Sequence, residues 1–393
     1  MKKQLAFVIG GKSVEHEISI ITGLQAFNAF DSPEYDAFVL YISKDNEFYI
    51  GKNLEDIKNF KDLNSVCNEA TRVVLVSDGG QAKLVQYPPR RFGHGPEQNI
   101  DMAFMCVHGT NVEDGALQGF FKTNGVPIVG CDVEAAALSM DKYAQKIIAS
   151  AAGVPVLDAV KFNMKDYEEV DKIVSAIESK FTYPVIIKPL NLGSSVGINV
   201  ANDTDSLIDA IDDGFLYAAE IIVEPAITNL REINVSVLGD NMTAEASEIE
   251  EPMHTDEILS YEDKYTNNAK GGKSKGMASV SRQIPANVSN EMRIQIRELG
   301  VKTFQALSCS GVARIDFLLD GDTNAVYFNE INTIPGSLAF YLWEPLSVSY
   351  SELLNRMIDI SKARTRLESQ LTFSFDTNVL ENANIGGSKG KLG

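Results

Sequence analysis

The stretch Gly311–Gly336, GVARIDFLLDGDTNAVYFNEINTIPG, decides the fold of this chain. Two runs rich in β-branched and aromatic residues, Val312 to Leu319 and Ala325 to Ile331, flank the turn formers Asp320, Gly321, Asp322, Thr323 and Asn324, so the stretch reads as a β-hairpin. Strand residues two apart share a face, which pairs Arg314 with Asp316 on one strand and Glu330 with Asn332 on the other. Asp316, Glu330 and Asn332 then offer two carboxylates and an amide to one cation. Such a set suits Mg²⁺, which takes few protein oxygens and fills its shell with water and phosphate. The competing reading is a charge-lined hairpin facing solvent.

Helical patterns bracket the hairpin, Asn290 to Leu307 before it and Glu344 to Leu367 after it. Upstream, Pro184 to Lys188 reads as a strand and leads through PLNLGSSVG to a second strand, Ile198 to Val200. Gly193, Ser194, Ser195 and Gly197 let backbone amides approach a phosphate, with Lys188 beside them. The lysine precedes the glycines and sits on a strand, so a flap over phosphates fits better than a strand-to-helix P-loop. Glu220 to Val223 is a strand broken by Glu224-Pro225 at a hinge, and Arg231 to Leu238 opens the last domain. Met253 to Val280, with YEDKYTNNAKGGKSKG, is long and polar: a lid over anionic phosphate, or a floppy basic loop.

At the N-terminus, Leu5 to Ile9 is an apolar strand ending in Gly10-Gly11, and a helix follows to Phe30. Glu15 at its start either binds a ligand or only complements the helix dipole. Ala37 to Ile42, Arg72 to Val76 and Ala82 to Tyr87 read as strands, and Gln86 to Asn99 as a loop. The buried strand Ile100 to Val107 ends in HGTNVEDGALQG, placing His108 at the strand end where open α/β sheets bind ligands. A lone histidine there equally fits a structural hydrogen-bonder. One helix is expected over Glu134 to Ala152, and another over Asp166 to Phe181.

The 393 residues are 44% hydrophobic and 23% charged, which suits a globular protein of two or three domains. A formal charge of -19 argues against nucleic-acid or anionic-membrane partners and favours small molecules. Cys67, Cys106, Cys131 and Cys309 show no CxxC spacing and read as reduced core thiols of a cytoplasmic protein.

In order along the chain, GGKSVEHEIS, HGTNVEDGALQG, SMDK, KPLNLGSSVG, YEDKY, RIDF and NEINTIPG resemble the signature blocks of the D-alanine-D-alanine ligases, within the ATP-grasp superfamily. The resemblance covers about Lys2 to Ala363. It implies an α/β ATP-grasp fold: an N-terminal open parallel-sheet domain (1–131), then two subdomains clamping ATP (132–228, and 229–375 with the lid and the metal hairpin). Residues 376–393 are expected to be a flexible tail. It also implies ATP-dependent, ADP-forming ligation of D-alanine to a second D-amino acid for peptidoglycan, with two Mg²⁺ ions or Mn²⁺ in their place. A homodimer is among the assemblies it allows.

Carried over residue by residue, Lys142, Lys188 and Ser195 resemble contacts to ATP phosphates. Glu224 and the backbone at Ala226 and Ile227 resemble the adenine site, Glu232 the ribose contact, and Lys264 the lid lysine. Asp316, Glu330 and Asn332 resemble the metal ligands. Glu15, with Ser194 and Tyr265, resembles the anchor of the first amino acid's ammonium, and His108 lies beside that subsite. Arg314 and the Gly336 amide resemble an oxyanion hole. Three positions depart from the pattern: Val112 stands for a usual glycine, Pro225 for a frequent lysine, and SLAFYLWE follows NEINTIPG. Tyr341 there takes roughly the place of the serine that binds the second substrate's carboxylate. The alternatives are a relative using another acceptor, a nucleotide-binding homologue without ligase activity, and a carboxylating enzyme of the superfamily.

Overall fold

The computed structural model describes residues 2–90, 95–192, 196–253 and 282–373. The chain divides into two units, Met1–Ser361 and Lys362–Gly393. The first contains three β-sheets; in the second, residues 362–368 are helical.

The first sheet is built from β1 (Lys3–Gly10), β2 (Tyr35–Ile42), β3 (Phe48–Ile50), β4 (Thr71–Asp78), β5 (Gln81–Gln86), β6 (Glu97–Asn99), β7 (Met102–Met105) and β8 (Ile128–Val129). Their order is β6-β5-β4-β3-β2-β1-β7-β8. Only β2-β1-β7-β8 is parallel, and the other half is antiparallel, so the sheet is mixed where an open parallel one was expected. Connection length accounts for this. A helical crossover such as α1 (His16–Ala29) brings β2 back parallel to β1, whereas the two-residue turn Gly79-Gly80 can only reverse β4 into β5. The short helix α2 (Leu63–Glu69) precedes β4, and α3 (Ala116–Thr123) precedes β8. Leu5 to Ile9 are fully buried, as a strand covered on both faces requires.

The expected helix over Glu134 to Ala152 is two helices, α4 (Val133–Met140) and α5 (Lys142–Ala151). Asp141 splits them: in extended conformation, its carboxylate accepts from the amides of Tyr143 and Ala144 at 2.9 and 2.8 Å. Lys142 therefore opens a new helix. The second sheet comprises β9 (Val160–Asn163), β10 (Val185–Pro189), β11 (Asn199–Ala201) and β12 (Glu220–Pro225), all antiparallel in the order β11-β10-β12-β9. Its core is closed by α6 (Val170–Lys180) and α7 (Thr204–Tyr217).

The third sheet runs β15-β14-β13-β16-β17 and consists of β13 (Leu230–Gly239), β14 (Ala244–Pro252), β15 (Arg282–Gln283), β16 (Gly311–Asp320) and β17 (Val326–Asn332). β16 and β17 are the hairpin read from the sequence, closed by Asp320, whose carboxylate accepts from the Thr323 hydroxyl, and by Asn324 in left-handed conformation. The helix α8 (Asn290–Ala306) covers the apolar face, where Val235, Val237, Phe304, Phe317 and Phe328 form the core. Asp316 pairs with Glu330 but Phe317 pairs with Phe328, so Asn329 is an extra residue, a β-bulge. Asn329 and Glu330 consequently share the polar face, between the buried Phe328 and Ile331.

Past the hairpin, Ser337, Leu338 and Ala339 hold φ of 54°, 53° and 49°, one left-handed turn without glycine. Each such residue costs about 1–2 kcal/mol. The turn is held by burial of Leu338 and Ala339 and by two hydrogen bonds to α1: the Ser337 amide to Thr22 Oγ1 (3.1 Å) and its hydroxyl to Gln25 Oε1 (2.6 Å). The last helix, α9 (Tyr350–Glu368), starts later than expected because Ser347 takes a left-handed φ of 62° after a short turn at Glu344–Leu346.

Candidate active site

The polar face of the third sheet gathers the hairpin side chains in two rows. One is Glu250-Asn234-Asp316-Glu330 and the other Ser236-Arg314-Asn332, each residue opposite the next. Arg314 grips Asp316 with two bonds of 2.7 Å, and Asn332 Nδ2 donates to Asp316 Oδ2 at 3.1 Å. Burial works against the Arg314 charge, but the Asp316 carboxylate outweighs it and holds the guanidinium cationic. Asp316 is pushed up to about 6, by burial first, against Arg314, with Glu330 and Glu232 adding to the rise. These carboxylates repel one another, so a divalent cation beside them is favoured; the donor set Asp316, Glu330 and Asn332 fits Mg²⁺.

Lysines approach from the second sheet and from α5. Lys142 Nζ lies 3.6 Å from Glu330 Oε2 and donates to the Leu192 carbonyl. Lys188 on β10 donates to Glu224 Oε2 and to Asn329 Oδ1, both at 3.0 Å, so the bulge residue is the link between hairpin and lysine. Glu224 is fully buried, and Lys146 Nζ holds its other oxygen at 2.9 Å. Burial raises the Glu224 pKa, but Lys188 and Lys146 outweigh it and bring it below the usual range. Burial pulls Lys146 down despite Glu224. The Glu224 side chain is thus committed to two lysines. Pro225 lies past the last β9 pair, Val223 with Val160, where no ladder amide is needed, and the Ala226 amide closes the strand end on Pro184 O at 2.9 Å. Ala226 and Ile227 are half-buried there, and Glu232 is half-buried at the start of β13.

The third contribution comes from the ends of β1 and β7. Glu15 precedes α1, and its Oε2 would stand 2.9 Å from a Cβ at Gly109, whose φ of +84° only glycine tolerates easily. His108 is buried with Nε2 2.8 Å from Thr22 Oγ1; burial, helped by Arg314, holds its imidazole down to about 4 against a backbone bond with Ile334, so it is neutral. The same threonine oxygen accepts from the Ser337 amide, which ties His108 to the turn after the half-buried Gly336. Val112 fits because Gly11 opposite has no side chain: a Cβ there would meet Val112 Cγ1 at 2.4 Å. Ser194, Ser195, Lys264 and Tyr265 lie outside the described residues, as do nearly all of the expected lid and the tail.

Sequence reasoning gave no binding or catalytic role to Glu113, Lys146 or Asn329. Lys146 is one helical turn from Lys142, and two polar residues in succession within VYFNEIN already break strand alternation; both signals were readable. Glu113 is buried and accepts from the Gly109 amide (3.0 Å), the Ile334 amide (2.9 Å) and the Thr333 hydroxyl (3.2 Å), joining the loop after β7 to the segment after β17. Burial pushes its pKa up to about 7, against these bonds, with Glu15 adding to the rise. The folded state therefore holds this proton where the unfolded chain has lost it, and the contribution falls as pH rises from about 4.5 to 7. Glu113→Gln is expected to flatten that decline in denaturation midpoints between pH 4.5 and 7.5; an unchanged slope would remove Glu113 as its source.

Two family profiles match the chain: "D-ala D-ala ligase N-terminus" over residues 4–131 and "D-ala D-ala ligase C-terminus" over residues 148–359. The D-alanine–D-alanine ligase of Thermosipho melanesiensis is 34% identical over 96% of this chain and 98% of its own length, and that of Acetivibrio thermocellus 36% identical over 92% and 96%. Among solved structures, the VanG D-Ala:D-Ser ligase from Enterococcus faecalis superposes with a TM-score of 0.75 at 28% identity, covering 92% of this chain and all of that one. The D-alanine-D-alanine ligase from Coxiella burnetii gives 0.75 at 26% identity, over 94% and 96%. These neighbours share the ATP-grasp fold. With matches running through all three sheets and the hairpin, the chain belongs to the D-alanine–D-alanine ligase family.

Proposed function

We propose that the protein activates the carboxylate of D-alanine with ATP as an acylphosphate and joins it to the amine of a second D-amino acid, D-alanine by default, releasing ADP and phosphate. The observation that carries this is the convergence of Lys142, Lys188, Arg314, Asp316, Glu330 and Asn332 between two sheets, in a chain of this family. A carboxylate is a poor acyl donor; phosphorylation supplies a leaving group, and the incoming amine then passes through a tetrahedral oxyanion. Lys142 and Lys188 neutralise phosphate oxygens, and Arg314 with the Gly336 amide faces the oxyanion. Mg²⁺, held by Asp316, Glu330 and Asn332, would screen the triphosphate charge. Neutral His108 lies beside the first amino acid, with Glu15 as the anchor of its ammonium. Glu224, Ala226, Ile227 and Glu232 would line the nucleoside end. The product would serve peptidoglycan synthesis in the cytoplasm; among the described residues no helix is long and apolar enough to cross a membrane.

A second reading differs only in the acceptor. It is favoured by Tyr341, whose hydroxyl donates to Glu250 Oε1 at 3.1 Å and so does not replace a serine one for one. Both readings are tested by phosphate release from Mg-ATP across D- and L-amino acids and hydroxy acids, with mass analysis of products. Release that requires D-alanine, with an amide or ester product, is expected. Release without D-alanine would overturn both.

A further inference from the structure

The sheet face that carries Arg314 and Asp316 also holds a second charged cluster, around Glu250. Glu250 on β14 is 2% exposed and receives three donors: Tyr341 Oη at 3.1 Å, Asn234 Nδ2 at 3.3 Å and Arg282 Nη1 at 3.0 Å. Arg282, on β15, lies with its guanidinium carbon 3.9 Å above the Tyr341 ring centre. The register places Arg282 opposite Pro252, hence on the face of Glu250. We infer that Arg282 selects the acceptor by binding its carboxylate, with Tyr341 and Glu250 as positioning residues that hold the guanidinium. This deepens the proposed ligation and rests on it.

Three observations support the assignment. The Tyr341 hydroxyl is spent on Glu250, which leaves the ring as the part of Tyr341 that can act elsewhere, and the ring carries Arg282. A guanidinium stacked on an aromatic face keeps its edge donors in one plane, and that edge is the geometry that recognises a carboxylate. An ion pair buried this deeply adds little stability over apolar residues of the same size, so a functional role accounts for it better than packing. An α-amino or α-hydroxy acid carries its nucleophile one carbon from its carboxylate, so binding at Arg282 would leave the nucleophile on the sheet face that also carries Arg314.

The test is an internal competition with the full-length protein, Mg-ATP and D-alanine as donor, in which D-alanine and D-alaninamide compete as acceptors and both dipeptide products are weighed by mass spectrometry. A product ratio is independent of how much of a variant is folded. Arg282→Gln is expected to lower the preference for the carboxylate over the amide by about 10- to 100-fold relative to wild type while still ligating the amide. Arg282→Gln combined with Glu250→Gln, which leaves no buried charge unpaired, should do the same. Tyr341→Phe keeps the ring and should keep the preference within about threefold. An unchanged ratio in both arginine variants, a collapse in Tyr341→Phe, or loss of both products on replacing Arg282 would overturn the inference and leave the ligase reading standing. No dipeptide from the wild type would overturn that reading, and this inference with it.

Discussion

Replacing Lys188 by methionine is expected to lower kcat/KM for ATP-dependent ligation by about 10²- to 10³-fold, the usual consequence of removing one preorganised donor from developing charge. Methionine keeps the length and apolar stem of the side chain while deleting the cation. In the folded protein Lys188 is buried and fixed by Glu224 on one side and Asn329 on the other, so its ammonium cannot be replaced by a neighbour swinging in. Lys146, the other cation on Glu224, is turned to that carboxylate's other oxygen. The measurement is ADP release under saturating D-alanine, alongside circular dichroism to show that the fold persists. A loss smaller than tenfold would remove Lys188 from the phosphate site.

The second large effect concerns stability. Glu224→Ala is expected to destabilise the protein by about 3–5 kcal/mol, because it strands two lysines that were paired in a buried site. Lys146→Met in the same background should recover part of that loss, since the remaining cation, Lys188, keeps its contact with Asn329. Chemical denaturation of the single and double variants measures both quantities. A cost below 1 kcal/mol, or no recovery, would mean that water reaches these lysines and the triad is solvated.

The hairpin at Gly311–Gly336 was legible because its two signals are local: alternation along each strand and turn chemistry between them. So were β1, β10 and the helix before the hairpin. The strand β14, AEASEIEEP, was not. Its four glutamates read as surface, yet Glu248 and Glu250 are buried, neutralised by Arg293 and Arg282 from more than thirty residues away. No local pattern reports such pairing. The helix α7 and the strand β9 were also passed over, and Asp141 was read as helix interior although it caps a new one. At the candidate site, Lys142, Lys188, Arg314, Asp316, Glu330 and Asn332 lie on the hairpin or in contact with it. What the motifs did not convey is which side chains restrain which: Asn329 on Lys188, Lys146 on Glu224, Glu113 across to Ile334.

The bulge at Asn329 bears on how such a hairpin can change over time. A strand is a parity code, in which odd and even positions belong to opposite sides. One additional residue inverts that code for everything downstream. Upstream of the bulge Val326 and Phe328 are core, and downstream Ile331 is core, so the inward positions change from even to odd at this point. Glu330 and Asn332 owe their outward place to that inversion. Gain or loss of a single residue between Phe328 and Ile331 would turn Glu330 and Asn332 inward and Ile331 outward.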